Sequence, residues 1–400
     1  MHVVVLGAGV IGVTTAYYLA ERGHTVTVVE RENGVATGAS GGNGAQLSYS
    51  FTDAMASPAM LAKMPGVLSG QDPAFLVRPP VKTLPVRWGL NFLSQCTSHH
   101  ARENTLAVLQ MAMRSSTLLA ELRSRVPLDF SFRRASKLVV LGNQVDLKSA
   151  EDTCALKRQH GCDVRVITPE QAIEIEPALA HIRTPFAGAV YSENDEVGDV
   201  LAFTSQLGEW LGNNRNTEFQ FNTRVRHIAA RNGKLDAIET DNGTLKPDAV
   251  VVCLGAWSDR ILKPLGIRAN INPIRGYSVT LPATDKSNSV SITDLGSKMV
   301  YSRLGDRIRI AGFADFVGFN TDRDETRVRT LLNTARKFAP DIADFDAGSA
   351  DEWGGFRPMT PNSQPVVSAT PVDGLYLNTG HGMLGWTLAC VTGHDLAALI

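Results

Sequence analysis

The 400-residue chain lacks an excess of charge of either sign. It carries 39 Lys and Arg against 40 Asp and Glu, a formal net charge of −1. No global electrostatic pull toward nucleic acid or anionic lipid follows. It also lacks paired cysteines: Cys96, Cys154, Cys162, Cys253 and Cys390 are dispersed, odd in number and form no CxxC. That excludes a disulfide framework and a thiolate zinc site, and fits a reducing compartment. The histidines, His99-His100 included, show no metal-ligand spacing, so no metal is expected. No apolar run reaches the roughly 20 residues that a bilayer span requires. There is no internal repeat and no low-complexity tract. What is present is globular, 44% hydrophobic and 20% charged. The length suits two domains, or two that interleave.

Residues 3–30 read VVVLGAGVIGVTTAYYLAERGHTVTVVE. An apolar strand leads into Gly7-x-Gly9-x-x-Gly12, a helical pattern follows, and a second apolar strand, Thr25–Val29, ends in Glu30. This is a complete βαβ dinucleotide-binding unit. Gly7 permits the tight turn, Gly9 lets the backbone approach a pyrophosphate, and Gly12 lets helix and strand pack closely. The helix N-terminus directs unpaired N–H groups at the diphosphate. Glu30, about 20 residues on, can hydrogen-bond a ribose 2′-OH, which disfavours a 2′-phosphate and hence NADP. The unit starts at residue 3, leaving no room for a secretory leader ahead of it, and the expected location is cytoplasmic.

After Glu30, residues 34–46 are small and polar, from Gly34 through Ser40 and Asn43 to Gln46. Such a loop can lie flat on a ligand or serve as a flexible linker; its place after a ribose-binding acid favours the former. Residues 54–100 form an apolar insertion rich in Met and Pro, with Pro58, Pro65, Pro73, Pro79, Pro80 and Pro85. These prolines argue against a long helix, and the insertion reads as a lid, a membrane contact, an interaction surface or a loop packed on its own domain. Helices are expected at 87–96, 103–126, 145–161, 200–211, 327–338 and 387–400. Thr168-Pro-Glu-Gln171 reads as a capping box. Strands are expected at 137–141, 188–191, 218–227, 236–240, 249–254, 271–274, 277–281, 300–303 and 307–311. Asn232-Gly233 marks a hairpin and Asn242-Gly243 a turn.

The fold expected is α/β: a Rossmann-like cofactor domain assembled from separated segments, and a second domain with a mixed, largely antiparallel sheet. The segments are 1–53, 196–262 and 348–400 for the first domain, and 54–195 and 263–347 for the second.

Two late motifs bear on the dinucleotide. Cys253-Leu-Gly255-Ala-Trp257-Ser258 ends an apolar strand, and Asn378-Thr-Gly380-His381-Gly382-Met383-Leu384-Gly385-Trp386-Thr387 is a glycine turn entering the last helix. With the opening unit, the 40–46 loop, Arg275-Gly-Tyr277-Ser and Phe356-Arg357-Pro358, they give a chain that resembles the FAD-dependent amino-acid oxidoreductases. That family is typified by D-amino-acid oxidase, glycine oxidase and sarcosine oxidase, and the bacterial D-amino-acid dehydrogenase type is nearest. The resemblance runs the whole length. It implies that Gly7, Gly9, Val10, Ile11, Gly12, Glu30 and Arg31 hold the ADP half of FAD. Ser40, Asn43, Gly44 and Gln46 would lie along the pyrophosphate and flavin, with the Val225 backbone at adenine and Gly255 and Trp257 at the cofactor's edge. Residues Gly380 and Gly382 to Thr387 would meet the flavin pyrimidine. Arg357 would pair with the substrate carboxylate, since a planar guanidinium grips it bidentately. Tyr277 and Tyr301 are candidates for a second carboxylate contact or simply core residues, and His381 lines the substrate face or satisfies its own turn. Residues 350–366 contain no Cys, so noncovalent FAD is expected.

The implied reaction is oxidative deamination: hydride leaves Cα for flavin N5, and water hydrolyses the imino acid to a 2-oxo acid and ammonia. A quinone or a partner protein would accept the electrons, with residues 54–100 meeting the cytoplasmic face of the inner membrane or a partner subunit. The alternatives are a subunit of a multi-protein dehydrogenase acting on hydroxyproline or glycine, and an O2-using oxidase.

Overall fold

The computed structural model describes residues 1–77, 86–348 and 350–400. Pro79, Pro80 and Pro85 lie outside them. Among the described residues, no helix is long and apolar enough to cross a membrane.

Two large sheets organise the chain. The first has six strands in the order Val366–Ala369, Leu375–Thr379, Ala249–Val252, His2–Leu6, Thr25–Val29, Thr217–Gln220. All pair in parallel except the edge strand Val366–Ala369. A parallel sheet is covered on both faces, so its strands read as unbroken apolar runs, and Val3, Val4, Val5 and Leu6 are all fully buried. One face packs under the helices Val10–Glu21, Ser98–Arg125, Val200–Asn214 and Gly385–Ala397. The other packs against a three-stranded sheet, Val225–Arg231, Lys234–Thr240 and Gly243–Leu245. There Asn232 and Gly233 both take positive φ, as a two-residue hairpin turn demands.

The second sheet has nine strands. Eight run in the order Asp351–Met359, Asn272–Pro282, Arg307–Phe316, Met299–Leu304, Ser291–Asp294, Lys137–Leu141, Gly188–Ser192, Val164–Ile167, and Phe75–Val77 pairs with Arg307–Phe316. The helices Glu325–Phe338 and Pro169–Ile175 close its core. Thr168 and Gln171 form the expected capping box.

Four expectations change. The run 218–227 is two strands, one in each of two sheets, because Asn222 turns the chain with φ 51°. The runs 271–274 and 277–281 are one strand, Asn272–Pro282. Besides the expected helix, found at Val86–Gln95, the insertion contains a further short helix, Pro58–Leu68: Pro58 sits in the first turn, where its missing N–H costs nothing, and Pro65 is tolerated within a short helix whose residues are mostly exposed. Finally, Asp351–Met359 belongs to the nine-stranded sheet, although the boundary at 348 assigns it to the cofactor domain.

A short segment joins the two domains. Gln46–Leu47 pairs with Glu196–Val197, and the fully buried Asp195 accepts the N–H groups of Tyr49 and Ser50 at 3.0 and 3.1 Å and the hydroxyls of Ser50 and Ser192. Removing this carboxylate strands four buried donors. Asp195→Ala should lower the unfolding free energy, read from urea melts, by about 3 kcal/mol. Limited proteolysis should then cut first between residues 46 and 53, and a wild-type cleavage pattern would argue against this role.

Candidate active site

One cavity of about 970 Å3 runs between the two sheets, at the upper end of the roughly 300–1,000 Å3 that small-molecule sites span. At one end lies the glycine turn. A Cβ on Gly12 would come 1.8 Å from the Gly7 carbonyl oxygen, and one on Gly7 would meet the Cys253 carbonyl at 2.8 Å. Gly7 also holds φ +101°, a region that side chains resist. Gly9 caps the helix Val10–Glu21 without a side chain of its own; instead the Ser40 hydroxyl accepts the Val10 N–H at 3.0 Å. Glu30 accepts the Ala8 N–H at 2.8 Å and still borders the cavity. The Arg31 and Arg260 guanidinium groups each lie 4.6 Å from the Trp257 ring centroid, and Val225 and Gly255 complete this end.

The middle is walled by the loop from Gly38 to Gln46, pressed flat on the second sheet. Ser278 and Ser302 donate to the carbonyls of Gly42 and Gly44. A Cβ on Gly42 would overlap Trp353 at 2.4 Å, and one on Gly44 would meet Val300 at 2.8 Å. Asn43 closes a local turn by accepting the Ala45 N–H.

At the far end the Asp351–Met359 strand meets the 380–385 turn. The Gly382 N–H donates to the Pro358 carbonyl at 3.0 Å, and Met359 and His381 form a β-bridge. Arg357 therefore stands beside that turn. Its Nη1 donates to the Phe313 carbonyl at 2.7 Å, and its guanidinium lies over Gly276, where a Cβ would come within 2.2 Å. Burial pushes this guanidinium down to about 10, so it stays charged at neutral pH. Among the described residues it makes no ion pair; the nearby Asp315 is gripped by Arg327 at 2.6 and 2.9 Å. His381, buried, is pushed down to about 3 and is neutral, with Nε2 hydrogen-bonded to Thr392.

Most residues singled out from the sequence border this cavity, among them Ile11, Gln46, Met383, Leu384 and Gly385. Four do not. Gly12 and Gly380 shape their turns from behind, and the Thr387 hydroxyl accepts the Ser48 N–H at 3.0 Å. Tyr301 is fully buried in the second core, stacked 5.4 Å from Phe338; strand register turns it away from the cavity. Tyr277 does border it, and burial together with the nearby Asp315 carboxylate pushes its phenol up, so it stays protonated. The Trp386 indole packs on Phe203 and donates to the Gly198 carbonyl, so only its edge and backbone remain for a ligand. Sequence reasoning missed Lys137, Trp353 and Phe313. Lys137 alone left a signal, a lysine opening an otherwise apolar strand.

The glycine cradle, the flattened loop and the second turn fit an extended dinucleotide. Comparison with known proteins agrees. The sequence profile of the FAD dependent oxidoreductase family matches residues 2–399. A D-amino acid dehydrogenase of Allorhizobium ampelinum is 38% identical over 403 residues, covering 100% of this chain and 94% of that one. The D-amino acid dehydrogenase of Paramagnetospirillum magneticum is also 38% identical, covering 100% and 95%. Among solved structures, glycine oxidase from Geobacillus kaustophilus superimposes with a TM-score of 0.78 at 22% identity, covering 99% and 94%. L-proline dehydrogenase from P. horikoshii gives 0.76 at 19%, covering 100% and 92%. A glycine cradle at one end, a charged arginine without a carboxylate partner at the other, and a profile match along nearly the whole length lead to one conclusion: this chain belongs to the FAD dependent oxidoreductase family.

Proposed function

We propose that the chain oxidatively deaminates D-amino acids to 2-oxo acids and ammonia, with FAD held noncovalently. The observation that carries this is Arg357, a charged guanidinium on the cavity wall with no carboxylate partner among the described residues. One N–H is spent on Phe313, which fixes the plane, and the rest of the fork is left for a ligand carboxylate. FAD, when bound, supplies the acceptor for the hydride that leaves Cα. The amine lone pair forms the C=N bond as that hydride departs, and water then releases ammonia. Burial pushes the His381 imidazole down to about 3, too weak to take a proton at neutral pH, so it is not a base for this step; positioning by Arg357 carries it. The handedness rests on the relatives, which are named as D-amino acid dehydrogenases. Cys253 borders the cavity, but burial pushes its thiol up to about 12, which makes it a poor partner for a flavin linkage.

The wall around Arg357 is largely apolar, and Lys298, which lies over Phe75, is paired with Asp72 at 2.7 Å. Ile274 is the cross-strand neighbour of Arg357, Ala314 follows Phe313 and pairs with Phe75, and Met55 and Met60 complete the lining. The cavity's acids lie elsewhere: Glu30 and Glu32 belong to the glycine-turn end, and Asp53 is paired with Lys157 at 2.7 Å. An apolar substrate side chain is the one this wall accommodates.

The acceptor reading rests on the insertion. Val86, Leu90 and Leu93 recur at i, i+4 and i+7 and are 64%, 63% and 43% exposed, while Trp88 and Phe92 face inward. Leu61 and Leu68 add a similar exposed edge on the neighbouring helix. Such a stripe favours a membrane surface and its quinone pool over O2 as electron sink.

Three outcomes test these readings. With a dye acceptor, a panel of D-, L- and imino acids should give the highest kcat/KM for D-amino acids with apolar side chains; faster turnover of L-amino acids would overturn the assignment. Arg357→Ala should retain flavin yet lose about a hundredfold or more in kcat/KM, and Arg357→Lys should recover only part of it, since an ammonium cannot fork. Unchanged kcat/KM in Arg357→Ala would remove the carboxylate role. Leu90→Glu combined with Leu93→Glu should depress turnover with quinone-loaded vesicles while leaving dye-linked turnover intact, and equal rates in both assays would exclude a membrane role for this face.

A further inference from the structure

Lys137 opens the strand Lys137–Leu141, is 2% exposed and borders the cavity. Its ammonium donates to Gln46 Oε1 at 2.8 Å and Ser48 Oγ at 2.6 Å, and lies 4.7 Å from the Phe51 ring centroid. Among the described residues it makes no ion pair. The two carboxylates that influence it are engaged elsewhere: Asp53 with Lys157, and Asp195 with two backbone N–H groups and two hydroxyls. Burial pulls the ammonium down to about 8, so most of it remains charged at pH 7. A buried charge compensated only by dipoles and an aromatic face is costly to retain, and an occupant bearing negative charge would offset that cost.

Its position says which part of the occupant that is. Ser48, which takes one ammonium hydrogen, donates its N–H to the Thr387 hydroxyl in the first turn of the helix Gly385–Ala397. That N-terminus has no side-chain cap and carries a partial positive charge. Two positive poles thus flank the end of the cavity opposite Glu30 and the glycine turn. We propose that Lys137 is an electrostatic positioning residue that sets the reduction potential of the bound flavin by stabilising the negative charge its ring gains on two-electron reduction. This rests on the FAD reading of the cavity and adds to it a role for a residue outside the cofactor motifs.

The competing role is purely structural. The Gln46 amide is engaged on both sides, accepting from Lys137 and donating to Ser291 Oγ at 2.6 Å and the Ile292 carbonyl at 3.3 Å, so in that role Lys137 would act by holding Gln46 and Ser48 in place. Three variants separate charge from scaffolding. Lys137→Met removes the charge and the hydrogen bonds, Lys137→Gln removes the charge while keeping an N–H donor, and Lys137→Arg keeps the charge. Purified proteins, reconstituted with excess FAD, are titrated with dithionite for the midpoint potential and with sulfite for adduct affinity. Met and Gln should both weaken sulfite binding at least tenfold and lower the potential by about 30 mV, the equivalent of tenfold for a two-electron couple; Arg should stay near wild type. A wild-type potential in Lys137→Gln would assign the effect to hydrogen bonding and overturn the proposal. Loss of oxidised-FAD binding in Lys137→Gln but not in Lys137→Arg would also overturn it, by placing the charge on the oxidised cofactor. A wild-type protein that binds no flavin would defeat the cofactor reading itself.

Discussion

The site depends on one junction between the two sheets, the end of the strand Asp351–Met359. Along nine residues this strand is laddered to Asn272–Pro282, which makes it part of the second domain. At its last residues the Pro358 carbonyl takes the Gly382 N–H, and Met359 bridges to His381, which ties it to the first. Trp88, from the insertion, donates to the Met359 carbonyl at 2.8 Å and locks the same point from a third direction. Three elements far apart in sequence thereby converge on Arg357. Backbone bonds of this kind hold position to tenths of an ångström, and a hydride donor needs that precision more than it needs a base.

Missing Cβ atoms do much of the shaping. At Gly7 and Gly12 they let a strand, a turn and a helix approach closely enough to leave free N–H groups at a phosphate. At Gly42 they let a loop lie against Trp353, and at Gly276 they let the Arg357 guanidinium lie flat over a strand. The Gly12 contact is local, and although Gly7 also approaches the distant Cys253 carbonyl, this first pair belongs to a spacing that any reader of the sequence can find. The second pair depends on a partner more than 80 residues away in the chain, so nothing in their flanks announces it.

That difference explains what was legible. The opening unit is legible within a residue at the first strand, His2–Leu6, and at every residue of Thr25–Val29, because strand, turn, helix and acid follow one another within 30 positions. The capping box at Thr168 and the hairpin at Asn232-Gly233 were legible for the same reason. The strand carrying Arg357 was not seen as a strand. Gly354, Gly355 and Pro358 depress its propensity, and only its place at a sheet edge makes that proline harmless. Tyr277 and Tyr301 looked alike in sequence; register sends one to the cavity and the other beneath Phe338. The break at Asn222 was hidden because an Asn with positive φ is cheap and leaves the apolar pattern on either side intact.

The distribution of charge along the cavity follows from where its carboxylates are engaged. The arginines at the glycine-turn end are exposed and stacked on Trp257, where solvent screens them. At the opposite end Lys137 is buried and Arg357 half-buried, and the acids nearest them are consumed by Lys157, Arg327 or backbone N–H groups. Screening is weakest where these two cations stand, so each acts strongly on whatever lies between them. On the proposed reading a substrate carboxylate would satisfy Arg357 whatever the redox state of the cofactor, while Lys137 would be satisfied in full only when the flavin ring gains negative charge. The two cations would then divide the work: one holding the donor, the other favouring the product of electron transfer.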